Sequence, residues 1–118
     1  MKRPEEATHR AIASALAVCL PKPWLYWHTP NGGGRSKAEG GILKALGTRP
    51  GIPDLFVAGE GRVIGLEIKA PKGRLSPAQR DTIGALAEAG IPTVIVHSLP
   101  EAIDALKALG VPVRGRAL

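Results

Sequence analysis

The sequence predicts an α/β fold, a mixed β-sheet flanked by helices. Three observations carry that expectation. The β-rich runs 54–58 and 63–69 flank the turn "GEGR", the pattern of a two-stranded hairpin. Residues 63–97 then read strand, helix, strand, and a helix of that length between two strands makes a parallel crossover. Apolar residues at helical spacing stand near both ends of the chain.

Residues 4–19 read as the first helix. Pro4 suits a first turn, Glu5 and Glu6 favour the positive end of the helix dipole, and Ile12 and Leu16 form an apolar stripe. Pro21 and Pro23 end it. "WLYWH", 24–28, is a short aromatic strand, and "TPNGGGRS" has too many glycines for anything but a loop. Ser36-x-x-Glu39 offers a capping box for a short helix ending near Gly47, which Gly40 and Gly41 weaken.

After the hairpin, Ser76 with Pro77 opens a helix to about Ala89, Gly90 stops it, and "PTVIVH" is a strand ending at His97. Ser98-x-x-Glu101 opens the last helix, with Ile103, Leu106 and Leu109 at helical spacing and Gly110 at its close. No repeat, low-complexity segment or linker interrupts the chain, so residues 1–118 are expected to form one domain.

Sixteen Lys and Arg stand against 10 Asp and Glu, giving a net charge of +6 and a pI of about 10.0. That balance favours a polyanionic partner, nucleic acid foremost. A domain this short buries only roughly 65% of the surface its unfolded chain exposes, so a second copy would add core. The single cysteine, Cys19, excludes an intramolecular disulfide and a thiolate metal cluster, and reads as a buried thiol in a reducing compartment. No apolar run reaches the ~18 residues that cross a bilayer. "MKRPEEATHR" runs acidic before its apolar part, unlike a signal peptide, and an intracellular, cytoplasmic location is expected.

The hairpin register can be counted from the turn. With a loop at 59–62, Ala58 faces Val63, Val57 faces Ile64, Leu55 faces Leu66 and Asp54 faces Glu67. Leu55, Val57, Ile64, Leu66 and Ile68 then share one face, as burial requires. Asp54, Phe56, Gly65, Glu67 and Lys69 share the other. Opposed side chains lie ~4.5 to 5.5 Å apart at Cβ, close enough for two carboxylates to grip one divalent ion. Without a cation the two acids repel and raise a pKa. As isolated residues they would read as solvated strand ends; the shared face favours a metal site instead.

Gly51-Ile-Pro-Asp54, Glu67-Ile-Lys69 and Ser76-Pro-Ala-Gln79 together resemble the nuclease core of the PD-(D/E)XK superfamily, and in particular the VRR-NUC (virus-type replication-repair nuclease) family. "NGGGRSKAEGGILKALGTRPGIPDL" is similar to that family's segment before its Asp, and "PKGRLSPAQR" to the segment after its lysine. The resemblance spans roughly residues 5–108. It implies a restriction-endonuclease-like fold and a metal-dependent DNA endonuclease leaving 5′-phosphate ends.

The same resemblance assigns Asp54, Glu67 and the backbone carbonyl of Ile68 to the catalytic metal, for which oxygen ligation suits Mg²⁺ or Mn²⁺. It makes Lys69 the residue that orients the attacking water and offsets transition-state charge. It also calls for a helical glutamate that completes the metal site, for which Glu5 and Glu6 compete. At about 100° per residue Glu5 lies within ~20° of Ile12 around the helix and Glu6 ~120° away, which favours Glu5. Gln79 has two readings, a capping partner of Ser76 and, by the resemblance, a neighbour of the catalytic lysine, water or DNA.

Asn31, Arg35, Lys37, Arg49, Lys72, Arg74 and Arg80 flank these motifs and are candidate DNA-binding residues, with Gly32 in the same loop as Asn31 and Arg35. His28 and His97 have no second histidine at a ligand spacing, and His97 reads as a satisfied structural side chain. Trp24, Tyr26 and Trp27 read as core or interface rather than base-stacking residues. The resemblance further implies a homodimer acting on branched DNA such as four-way junctions, and the short form resembles phage or prophage members. A module that binds junctions without cutting, and an RNA substrate, remain as alternatives.

Overall fold

The computed structural model describes residues 4–30 and 37–114. Four strands form one mixed sheet in the order β1-β2-β3-β4, with β1 at Leu25–His28, β2 at Leu55–Gly59, β3 at Arg62–Ile68 and β4 at Thr93–Val96. The first two pairings are antiparallel and β3 with β4 is parallel. Helices α1 at Pro4–Cys19, α2 at Lys37–Ala45, α3 at Pro77–Glu88 and α4 at Leu99–Ala108 complete it. The α/β class and the crossover through α3 are as the sequence predicts.

The hairpin pairs in the counted register, from Leu55 with Leu66 to Ala58 with Val63. Its turn is tighter than the four-residue loop expected, because Gly59 also pairs with Arg62. Only Glu60 and Gly61 remain, at φ 51° and 77°, and two positive values suit the type I′ turn that matches strand twist. Glu60 tolerates this conformation while its carboxylate accepts from Trp24 Nε1 at 2.7 Å. Trp24 thus belongs to the core rather than to β1, and is 5% exposed.

Leu55, Val57, Ile64, Leu66 and Ile68 are buried against Ile12 and Leu16 of α1 and Ala102 and Leu106 of α4. Alternation therefore sends Asp54, Phe56, Gly65 and Glu67 to the opposite face. There α3 packs, its first turn fixed by a capping box in which Ser76 Oγ accepts from Gln79 N and Gln79 Oε1 accepts from Ser76 N. Gly51, at φ 81°, lets the chain before β2 run directly against that turn, since a Cβ there would collide with the Ala78 carbonyl.

At α4 the cap differs from expectation. Ser98 Oγ accepts from Glu101 N, but the Glu101 carboxylate reaches back to His97, accepting from its backbone N at 3.1 Å and lying 3.0 Å from its Nδ1. His97 is accordingly a satisfied side chain. Cys19 is a buried free thiol. Ser36 lies outside the described residues, and α2 buries none of its own. Among the described residues no helix is long and apolar enough to cross a membrane.

Candidate active site

The end of the hairpin gathers the acids. Asp54 directly precedes β2, and its Oδ2 accepts from the backbone N of Ile68 at 2.8 Å, holding the carboxylate beside the C-terminal end of β3. Glu67 is 1% exposed. Its Oε2 accepts from Gln79 Nε2 at 3.0 Å and lies 3.7 Å from Lys69 Nζ. Its Oε1 is buried with no partner. The carboxyl is pushed up to about 8 from an ordinary 4.5, by burial first and the Asp54 carboxylate second, while the Lys69 ammonium opposes the shift.

A buried carboxylate oxygen without a donor is costly, and a cation is the natural partner for an acceptor in that position. Among the described residues no group of three or more His, Cys, Asp or Glu could hold a metal. The donor set is thus the Asp54 and Glu67 carboxylates, and that fits Mg²⁺, which usually takes one or two carboxylates and keeps water and substrate phosphate in its remaining positions.

Glu5 and Glu6 part company as the helix geometry predicts. Glu5 Oε2 accepts from Ala70 N at 3.3 Å, just beyond Lys69, whereas Glu6 pairs with Arg10 on the exposed side at 3.3 Å. Gln79 combines its two readings: Oε1 caps α3 and Nε2 reaches Glu67.

Lys37, Lys72, Arg74 and Arg80 are exposed. Arg49 is exposed too, but its Nε donates to Thr82 Oγ1 at 2.9 Å, and that hydroxyl donates to Pro50 O at 2.7 Å. Arg49 therefore braces the approach to β2 against α3. Asn31, Gly32 and Arg35 lie outside the described residues. Trp27 stacks on Phe56 with ring centroids 5.4 Å apart and stays 42% exposed.

One neighbour escapes the sequence reading. A cleft of about 450 Å³ opens beside Asp54 and Ile68, lined also by Glu5, His9, His28 and Thr29, with Glu6 and Arg10 on its wall. His9 and His28 meet there edge to face, centroids 5.0 Å apart and planes at 80°. Burial lowers the His9 imidazole below its ordinary value, the Asp54 charge opposes this, and His28 reinforces it. The available signal was helical spacing, since His9 follows Glu5 by four residues and shares its face.

The VRR-NUC domain model matches residues 8–100, most of the chain. A solved structure described as a VRR_NUC domain protein superposes with a TM-score of 0.74 at 19% identity, covering 100% of this chain and 97% of that one. No curated protein matches the chain. The solved structure shares the fold, a mixed four-stranded sheet flanked by helices, and the chain belongs to the VRR-NUC family of nucleases.

Proposed function

We propose that this chain is a Mg²⁺- or Mn²⁺-dependent endonuclease that hydrolyses DNA phosphodiester bonds, with branched DNA such as four-way junctions as its preferred substrate. The observation that carries the reading is Glu67: a buried carboxyl against Asp54, braced by Gln79 and Lys69, with one oxygen left for a cation. No structural economy explains such a group, because burying an acid beside another acid destabilises the fold.

In this reading Asp54, Glu67 and the Ile68 carbonyl would hold the metal, with Glu5, whose carboxylate accepts from Ala70 N, beside them as the helical acid. When bound, the ion polarises the scissile phosphate and makes a bound water more acidic. Lys69 Nζ, next to Glu67, would orient the attacking water and counter charge that builds on the phosphate oxygens. Gln79 fixes the rotamer of Glu67, so its free oxygen keeps one direction. Asn31, Arg35, Lys37, Arg49, Lys72, Arg74 and Arg80 would neutralise phosphates along the DNA path.

A homodimer would present two sites to the two strands of a junction. Ile42 of α2 and Leu46 just after it, 61% and 77% exposed, and Leu25 on the edge strand, 55% exposed, are apolar surface that a second copy would cover; light scattering that returns a monomer mass would remove this part. Residues 1–118 as one domain, and a phage or prophage source acting inside a bacterial cell, complete the proposal; limited proteolysis and the neighbouring coding sequences check them.

The decisive experiment is cleavage of end-labelled four-way junction, flap and linear duplex DNA with Mg²⁺, Mn²⁺ or EDTA, beside Lys69→Ala. Metal-dependent cutting that the substitution lowers by orders of magnitude is expected, with an unchanged circular dichroism spectrum. Tight junction binding without cutting under either metal would replace the enzyme by a binding module.

A further inference from the structure

We propose that His9 and His28 bind the DNA strand where it leaves the metal-binding carboxylates, as donors to the sugar–phosphate backbone of the nucleotide next to the scissile bond. This rests on the nuclease reading above and adds a substrate contact to it.

Both rings are fixed relative to the site by elements that also carry candidate ligands. His9 stands one helical turn after Glu5, whose carboxylate is tied to Ala70 N. His28 pairs with Leu55 across the ladder, and Thr29 N donates to the backbone carbonyl of Asp54 at 2.9 Å. The backbone under each imidazole is thus tied to a segment that carries one of the carboxylates. The edge-to-face contact at 5.0 Å sets each ring's orientation by the other.

The chemistry of the cleft selects what they do. Three of the side chains lining it, Glu5, Glu6 and Asp54, are acidic, and Arg10 is committed to Glu6. A polyanionic strand passing this wall meets repulsion unless something donates to it. Neither imidazole makes a hydrogen bond to a described residue, the side-chain contact of each being with the other ring, and an imidazole always carries at least one N–H. A metal centre does not account for the pair, because among the described residues no set of three ligand side chains converges there. Base stacking accounts for it poorly, because the ring contact already occupies a face. The cleft, at about 450 Å³, has room for a nucleotide-sized group.

The test uses the full chain, with DNA binding and cutting read separately. Fluorescence anisotropy in EDTA gives Kd for a labelled four-way junction, and single-turnover cleavage at saturating DNA gives the chemical rate with Mn²⁺. His9→Phe and His28→Phe keep a ring and remove the donor. Each is expected to raise Kd about tenfold, the loss of one hydrogen bond to a charged group, with less than about threefold change in the rate at saturation. His9→Gln and His28→Asn restore an N–H and should recover most of the affinity. Where a Phe variant melts below assay temperature, His9→Leu and His28→Val take its place.

Wild-type Kd in the donor-lacking variants overturns the proposal, and so does a loss of rate at unchanged Kd. Failure of the wild type to cut with either metal removes the nuclease reading alone, because the effect on Kd is measured without cleavage.

Discussion

Gln79 donates from Nε2 to Glu67 Oε2 at 3.0 Å while its Oε1 accepts from Ser76 N at 2.9 Å, so a single amide joins the cap of α3 to a buried acid. Substitutions should separate the two duties. Gln79→Ala removes both and should cost roughly 1 to 2 kcal/mol of stability, with cleavage down about 10- to 100-fold. Gln79→Glu still suits the third position of a capping box but sets another carboxylate against Glu67. It should lose as much activity while keeping most of the stability. Thermal melts beside cleavage rates check this, and full activity in Gln79→Ala would remove Gln79 from the site.

The raised carboxyl of Glu67 predicts a pH dependence of the metal-free protein. The folded value of about 8 lies above the ordinary 4.5, so between those limits the native state holds a proton that the unfolded state has released. Unfolding free energy therefore falls as pH rises, by at most about 1.4 kcal/mol per pH unit. The contribution is complete below about 4.5 and gone above about 8. Urea melts in EDTA from pH 5 to 8 should show this slope, and Glu67→Gln should flatten it. A slope that survives the substitution would assign it to another group.

Asp54→Asn and Glu67→Gln should abolish metal-dependent cutting while sparing or tightening DNA binding. Each removes negative charge that repels phosphate, and each keeps nearly the same shape. Anisotropy and cleavage measured on one junction provide the check. Retained cutting by both variants would overturn the site assignment.

The parts of this structure legible in the sequence are those set by local periodicity. Counting outward from the turn gave the register that opposes Leu55 to Leu66, and alternation supported it, because a slip of one residue would expose the whole Ile68 face. Helical spacing alone put Glu5 against the end of β3 and left Glu6 to the exposed side, where it pairs with Arg10 on the cleft wall. Contacts between distant elements were not legible. Nothing near His9 or His28 announces that α1 and the end of β1 converge, and nothing near Arg49 names Thr82 as its acceptor. The turn was read too long because Glu60, unlike Asn or Gly, gives no hint of positive φ; Trp24, 36 residues earlier, supplies its partner.

The placement of Glu5 makes a ranking. Its carboxylate is bound to Ala70 N beside Lys69, whereas Glu6 forms an exposed pair with Arg10 whose loss costs little. Glu5→Gln should therefore lower the cleavage rate at least about tenfold, the range seen when groups supporting a metal site are removed, and Glu6→Gln should leave it within about twofold. The reverse order would make Glu6 the helical acid.

Gly51 links the loop before Asp54 to the helix that carries Gln79. It holds φ 81°, and an added Cβ would strike the Ala78 carbonyl in the first turn of α3. Gly51→Ala must therefore both strain its own backbone and push that turn away, drawing Gln79 off Glu67. Gly47 is the natural control, because it has φ 96° with open space around its would-be Cβ. Gly47→Ala should cost only the left-handed strain, about 1 to 2 kcal/mol, and leave cleavage unchanged below its melting temperature. Gly51→Ala should cost more than that and also reduce cleavage under conditions where circular dichroism shows it folded. Equal behaviour of the two variants would mean that the contact between Gly51 and α3 does not position the site.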